Sequence, residues 1–420
     1  MPAGIAELAL LAGLGWWPGQ RFPWPGILVF WAAFIIYGFA ARRIVESEGG
    51  ELPIWIFAVL MRLVLVPLAP HLSDDIYRYL WDGHVQLSGI NPFRYAPADP
   101  ALVAIRTPWH ALINNPTVPT IYPPFAQMAF LFIALVGGTI FQAKLLWLGF
   151  DLGTGWLLGR LARITGRSRR LTQLLYLWSP LLIVEVAWSG HLEPLGIFGL
   201  VLMLLLARAP LTAGVAGALS TLTKFAPAAA LPSLARRLGR RFLIGFAVTS
   251  VALYLPYVTA GPKLFAGLGT YARHWRFMEG PYRLLEAVVP GALGPRIAAA
   301  LIVLAVVAWT TAWRFRPERA LFWILGAGLL VTPTLHPWYV LWILPLAALR
   351  VSRPWLLLSG LVFVGYFGFA AYHRSGVWPQ PTWARLVLWL PVGVLLVIDG
   401  LRAWRKRFPG PVPLSQTRES

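Results

Sequence analysis

The chain has 420 residues, of which 58% are hydrophobic and only 12% charged, about half the charged share of an ordinary soluble domain. So few charges cannot coat the two or three soluble domains that this length would otherwise suggest, and a mean hydropathy of +0.66 excludes disordered and fibrous classes as well. The absence of cysteine excludes disulfides, thiol catalysis and a thiolate metal site, while the formal charge of +20 reads as cytoplasmic loops and anionic headgroups rather than nucleic acid.

A spanning helix needs about 20 mostly apolar residues. Taken in order, candidate spans cover residues 4–17, 26–41, 53–69, 140–160, 172–188, 194–208, 241–260, 293–313, 319–335, 338–349, 354–372 and 383–403. These predict an all-α polytopic membrane protein with about 12 transmembrane helices in a single domain. The first segment lacks a basic leader region and a small-residue cleavage site, so it reads as a retained helix.

Basic residues cluster at Arg42–Arg43, Arg160 to Arg170, Arg208, Arg236 to Arg241, Arg314 to Arg319, Arg350–Arg353 and Arg402 to Arg407; with Arg418 they hold 22 of the 36 cations. The positive-inside rule makes these loops, both termini and a basic tail over 404–420 cytoplasmic. Parity then requires two adjustments. Residues 211–235 read as a re-entrant pair of half-helices broken around Lys224 and Pro227. Residues 121–139, opening on Tyr122-Pro123-Pro124, read as an interfacial helix or hairpin closing an outer loop that spans 70–139.

Polar chemistry concentrates on the outer side. The strongest signal is Ser73-Asp74-Asp75-Ile76-Tyr77-Arg78-Tyr79-Leu80-Trp81-Asp82-Gly83-His84. Ser73 suits an N-cap, with both aspartates in the first turn, where the positive helix end favours ionised carboxylates. Helical spacing puts Asp75, Tyr79 and Asp82 on one stripe and Asp74, Arg78 and Trp81 on the next. An ionised carboxylate here suits a general base for an acceptor hydroxyl; capping and a surface Asp–Arg pair are the plainer alternative. Asp74, Asp75, Asp82 and His84 offer oxygen and nitrogen ligands to a divalent cation, though nothing requires one.

Ionisable groups near the membrane are functional candidates. Lys224, at the helix break, needs an anion, either a lipid phosphate or a carboxylate such as Glu185. His191 and Glu193 sit at the outer end of two helices, and His336-Pro337-Trp338-Tyr339 marks a sharp turn. Arg62 and Asp151 lie within spans, where mutual pairing or snorkelling is the simpler role. The cluster Tyr271-Ala272-Arg273-His274-Trp275-Arg276 is basic on the outer side and calls for an anionic partner, such as a phosphate bound by paired hydrogen bonds.

The run from Asp74 to Gly83, then Gly89-Ile90-Asn91-Pro92-Phe93, then Tyr122-Pro123-Pro124, resembles the first outer loop of the GT-C superfamily of membrane glycosyltransferases, in its bacterial mannosyltransferase-like and family 87-like branch. Ser189-Gly190-His191-Leu192-Glu193, Lys224-Phe225-Ala226-Pro227 and His336-Pro337-Trp338-Tyr339 resemble later landmarks, so the likeness runs from about residue 70 to 345. The resemblance implies a cavity open outward and sideways to lipid, a polyprenyl-phosphate sugar donor (mannose is one candidate), and an acidic residue of the first loop as base, Asp74 or Asp75. It implies that Lys224, Arg273 and Arg276, with Arg78, hold the donor phosphate. By the same resemblance, Tyr122, His191, Glu193, His336 and Asp82 contribute to substrate binding. The Asp-Asp pair departs from the Asp-Glu of some relatives, and no large C-terminal outer domain follows.

The expectation is therefore an inverting glycosyl transfer, in the inner membrane of a bacterium with its site on the extracytoplasmic face. The acceptor would be a glycan, lipid or protein, membrane lipids the other partners, nucleic acid none, and no cofactor is demanded. A transporter or flippase of a lipid-linked sugar is the alternative; transporters commonly show paired broken helices, and only one broken segment is visible here.

Overall fold

The computed structural model describes residues 2–15, 23–46 and 48–407. Among these the chain is helical, with no strand and a single parallel bridge between Phe277 and Thr334. The end of the first expected span at residues 16–17, the tail beyond 407 with Arg418, and the side chains of Arg405 to Arg407 lie outside the described residues.

Five helices are long and apolar enough to cross a bilayer: Trp24–Glu46, Arg240–His274, Gly294–Ala312, Arg353–Tyr372 and Thr382–Trp404, with a sixth if the bent pair Arg169–Leu177 and Pro180–Trp188 counts as one span. Of the other segments read as spans, Ile140–Ile164 is long, at 25 residues, but carries Lys144, Asp151, Arg160 and Arg163; several others are shorter. Pro2–Gly15, Leu52–Leu65 and Glu193–Leu205 have 14, 14 and 13 residues, about 20 Å of helix against a hydrocarbon core of about 30 Å. Proline accounts for further breaks because it lacks the N–H that continues a helix. The run read as 338–349 divides into a 3₁₀ turn, Pro337–Trp342, and a helix, Leu344–Arg350, with Pro345 in its first turn.

The segment 211–235 holds Pro210–Thr221 and Leu231–Leu238, with Lys224 and the 3₁₀ turn Ala226–Ala230 between them. A second break, not anticipated, bends the pair around Ser179-Pro180 by 48°. Several of the basic loops meet acidic or basic neighbours from other loops. Arg169 reaches Glu51 at 2.8 Å, Arg353 pairs with Asp399, and Arg350 faces Arg319, Arg167 and Glu318. Within the bundle, Arg62 Nε bonds Asp151 Oδ2 at 2.6 Å, and Arg62 Nη1 donates to the carbonyls of Ala58 and Leu177. Pairing is thus their observed role, and both are fully buried.

The segment 70–139 carries the helix Asp75–Leu87, two 3₁₀ turns (Pro100–Ile105 and His110–Leu112) and a single helix, Pro124–Leu135. Asp75–Leu87 does not float on a surface: Ile76, Tyr79, Trp81 and Val85 are buried. Gly83 lets it lie against Pro124–Leu135, since a Cβ there would stand 2.2 Å from the Phe130 carbonyl oxygen. Gly83→Ala is therefore expected to destabilise the protein by about 1–3 kcal/mol, measured as a lower thermal midpoint in detergent; an unchanged midpoint would contradict this packing.

Candidate active site

The acidic helix begins one residue later than its sequence suggests. Asp74 is the N-cap residue, without a side-chain cap bond, and Ser73 Oγ accepts the Asp75 N–H at 3.2 Å. Both aspartates face a cavity of about 310 Å³ that Arg78, Tyr122, Lys224, Arg276 and His336 also line. Five separate parts of the chain thus converge on one space.

Asp75 is held on two sides. Asn114 Nδ2 donates to its Oδ1 at 2.8 Å, and His191 Nδ1 lies 3.8 Å from its Oδ2. Burial raises its pKa from the ordinary carboxylate value, opposed by Asn114, Lys224, Arg78 and Tyr122, which favour the anion. His336 is pushed down to about 3 by burial and by the neighbouring Lys224 charge. It therefore stays neutral at physiological pH and offers a flat ring stacked between Phe277, at 4.7 Å, and Trp338, at 4.5 Å.

The cations of the site are already paired with carboxylates. Lys224 Nζ bonds Glu193, which is fully buried, and lies 4.8 Å above the Tyr339 ring. The anion expected for Lys224 within the chain is thus Glu193, not Glu185. Arg276 bonds Glu279 at 2.9 Å and Glu286 at 2.7 Å, so the chain's own acids answer its charge. Arg78 Nε bonds Asp82 at 2.9 Å and its Nη1 donates to Val118 O, but its buried Nη2 has no hydrogen-bond partner. That atom is buried away from solvent, so Arg78 is held in the wall chiefly by Asp82 and the Val118 carbonyl.

Three of the expected residues sit behind the wall. Asp82 accepts from Arg78, from Thr120 and, at 2.9 Å, from Gln127; saturated in this way, it orients Arg78. Glu193 holds Lys224, and His191 backs Asp75 while stacking on Trp338 at 4.0 Å. Arg273 is outside the cavity, exposed, with its Nε bonded to Gly269 O of its own helix. Among the described residues no group of three or more His, Cys, Asp or Glu side chains is arranged to hold a metal ion. His84 Nε2 instead contacts Ile105 O at 2.9 Å.

A second cavity, also about 310 Å³, shares Tyr122, Lys224, Tyr271 and Tyr339 with the first. Its remaining wall is largely apolar, from Phe225, Leu268, Val303, Ile324, Leu325 and Leu329. Polar and apolar compartments therefore meet at Lys224, where the Tyr271 and Tyr339 hydroxyls bond each other. Sequence reasoning named these two tyrosines only as members of their motifs, and missed Asn114 and the far wall of Tyr366, Trp378 and Gln380. The Asn114-Asn115 pair, polar within a proline-rich loop, was the one local signal available.

A family model described as Alpha-(1->6)-mannopyranosyltransferase, N-terminal domain (the MptA_B family) matches residues 9–240. No curated protein and no solved structure matches.

Proposed function

The chain belongs to this alpha-(1->6)-mannopyranosyltransferase family and is a membrane-type glycosyltransferase, and from that premise we propose that it moves mannose from a polyprenyl phosphate to an acceptor hydroxyl on the extracytoplasmic face. Enzymatic membership sets aside the transporter alternative. The observation that carries the donor assignment is the junction at Lys224. The cavity with the two aspartates adjoins a more apolar one there, sharing a wall, which suits a phosphate head joined to a prenyl chain.

In this reading Asp75 takes the proton of the acceptor hydroxyl, whose oxygen attacks the anomeric carbon. The bond from that carbon to the phosphate oxygen breaks, and the polyprenyl phosphate leaves with the electron pair in a single inverting displacement. Lys224, with the Arg78 guanidinium beside it, meets the charge that grows on the leaving group; preorganised cations lower such barriers most. Arg276, farther along the same wall, is a secondary phosphate contact, and Tyr122 and the neutral His336 pack against the sugar. With cations built into the wall and a phosphate already a stable leaving group, the step is proposed to need no metal. The basic loops then face the cytoplasm of a bacterium, with the bundle in its inner membrane.

The test is transfer from radiolabelled polyprenyl-phosphate mannose in liposomes, with excess chelator, compared with a nucleotide-linked mannose. The lipid-linked donor is expected to lose its mannose and release polyprenyl phosphate at an undiminished rate with chelator. Turnover of the nucleotide sugar alone, or abolition by chelator, would overturn the donor or the metal-free reading respectively.

A further inference from the structure

The helix Asp75–Leu87 carries three charged groups on neighbouring turns, and one short stretch of the loop after it answers all three in order. Asn114 Nδ2 donates to Asp75 Oδ1 at 2.8 Å, the Val118 carbonyl accepts from Arg78 Nη1 at 3.0 Å, and Thr120 Oγ1 donates to Asp82 Oδ2. Residues 114–120 thus run beside the helix in its own direction, along a rise of about 10 Å.

The stretch is bent and clasped to follow this course. Asn115 adopts φ +44°, a left-handed conformation that asparagine tolerates better than most residues, and the Val118 N–H closes a turn on the Asn115 carbonyl at 3.0 Å. That turn shortens a segment that would otherwise overrun the helix. Ile113, just before it, is buried with Trp81, Val85 and Leu102, and the Pro116 carbonyl accepts the Ala98 N–H at 2.8 Å. From the other side the helix Ala266–His274 lies directly on the stretch, since a Cβ at Gly267 would stand 2.3 Å from the Pro119 carbonyl oxygen.

An amide N–H donates most strongly to a carboxylate that is charged. The bond from Asn114 therefore favours the form of Asp75 that a general base needs, and it comes from a segment that the same contacts tie to Arg78.

Resting on the assignment of Asp75 as base, we propose that residues 114–120 are a positioning strap, in which Asn114 holds the Asp75 carboxylate in the place, relative to Arg78 and the acceptor hydroxyl, that transfer requires. Asn114 is a positioning residue: it acts through Asp75, which takes the proton. The titratable and charged groups facing Asp75 are Asp74, Arg78 and Tyr79 along its own helix, Tyr122 just beyond the strap, and Glu185, His191 and Glu193 behind it. Lys224 faces it from the helix break, and the Tyr271, Tyr339 and Tyr366 phenols from across the cavity. All of these stay in place when Asn114 alone is replaced.

The experiment is the pH dependence of kcat and kcat/KM for transfer from polyprenyl-phosphate mannose, with the full chain in liposomes. Asn114→Leu keeps the bulk of the side chain and removes the donor. The carboxylate then loses a bond that favours its anion, so Asp75 ionises at higher pH and the acid limb is expected to move up by about half a unit to one unit. Above the limb, kcat is expected to fall by about ten- to a hundredfold, the scale of a misplaced reacting group, with the donor KM unchanged. Asn114→Ala leaves room for a water that restores part of the donation; it moves the limb the same way by less and serves if the leucine variant fails to fold. An unmoved limb would overturn the strap: an even loss of rate at every pH leaves Asn114 a packing role, and a rise confined to the acceptor KM makes it an acceptor contact instead. An inactive Asp75→Asn with an unmoved Asn114→Leu limb defeats this inference alone; an active Asp75→Asn defeats the base assignment beneath it.

Discussion

Asp75→Asn is expected to leave a folded protein whose mannosyl transfer is slower by about 10²–10⁴-fold, the range for a lost general base. Asp74→Asn is expected to stay within tenfold of the unmodified enzyme. The two carboxylates share a cavity but not an environment. Asp75 is held by Asn114 and backed by His191, whereas Asp74 sits at the helix cap without a side-chain cap bond. The amide is nearly isosteric and still accepts from Asn114 Nδ2, so the fold is preserved. Burial raises the Asp75 pKa, so the base is ionised only above a pH higher than an exposed aspartate requires. Activity should be lost as pH falls through that value, and single-turnover rates across acid pH measure it. Equal losses in both variants would contradict the distinction.

Lys224→Gln is expected to lower kcat by about 10²–10³-fold, the scale for removing one preorganised group from a developing charge. It also leaves Glu193 buried without its cation, a defect that costs about 3–5 kcal/mol when a buried pair is broken. The double variant Lys224→Gln/Glu193→Gln separates the effects: its thermal midpoint should recover while transfer stays low. Glu193→Gln alone should fold and bind the donor at least as tightly, because Lys224 then offers its charge undivided. Recovery of transfer in the double variant would mean that Lys224 serves the fold and not the phosphate.

The acidic helix, the Tyr122-Pro123-Pro124 turn and the break at Lys224 were legible because each rests on local chemistry: caps and helical spacing, proline geometry, and one ammonium in an apolar stretch. What the sequence did not disclose is pairing across distance. Glu193 and Glu185 are both plausible partners for Lys224, and only the packing of Glu193–Leu205 beside Pro210–Thr221 selects the first. Arg273 and Arg276 look alike in sequence, yet one turns outward and the other reaches the cavity beside Glu279 and Glu286. Glu7, fully buried in the first helix, gave no sign of its burial in a segment read only for apolar length. The wall at Trp378 and Gln380 comes from the far end of the chain, where Gln380 Oε1 accepts the Met278 N–H at 2.8 Å. Hydropathy registers apolar residues but not the proline breaks between them, such as the one that divides Pro337–Trp342 from Leu344–Arg350.

The central claim is that the reacting carboxylate and the donor phosphate meet where the two cavities join. Cryo-electron microscopy of the Asp75→Asn variant with bound polyprenyl-phosphate mannose tests it most directly. The account predicts the phosphate against Lys224 and Arg78, the prenyl chain along Leu268 and Leu325, and the mannose beside Asn at position 75. A phosphate lodged at Arg273, or a prenyl chain lying outside the apolar cavity, would contradict it.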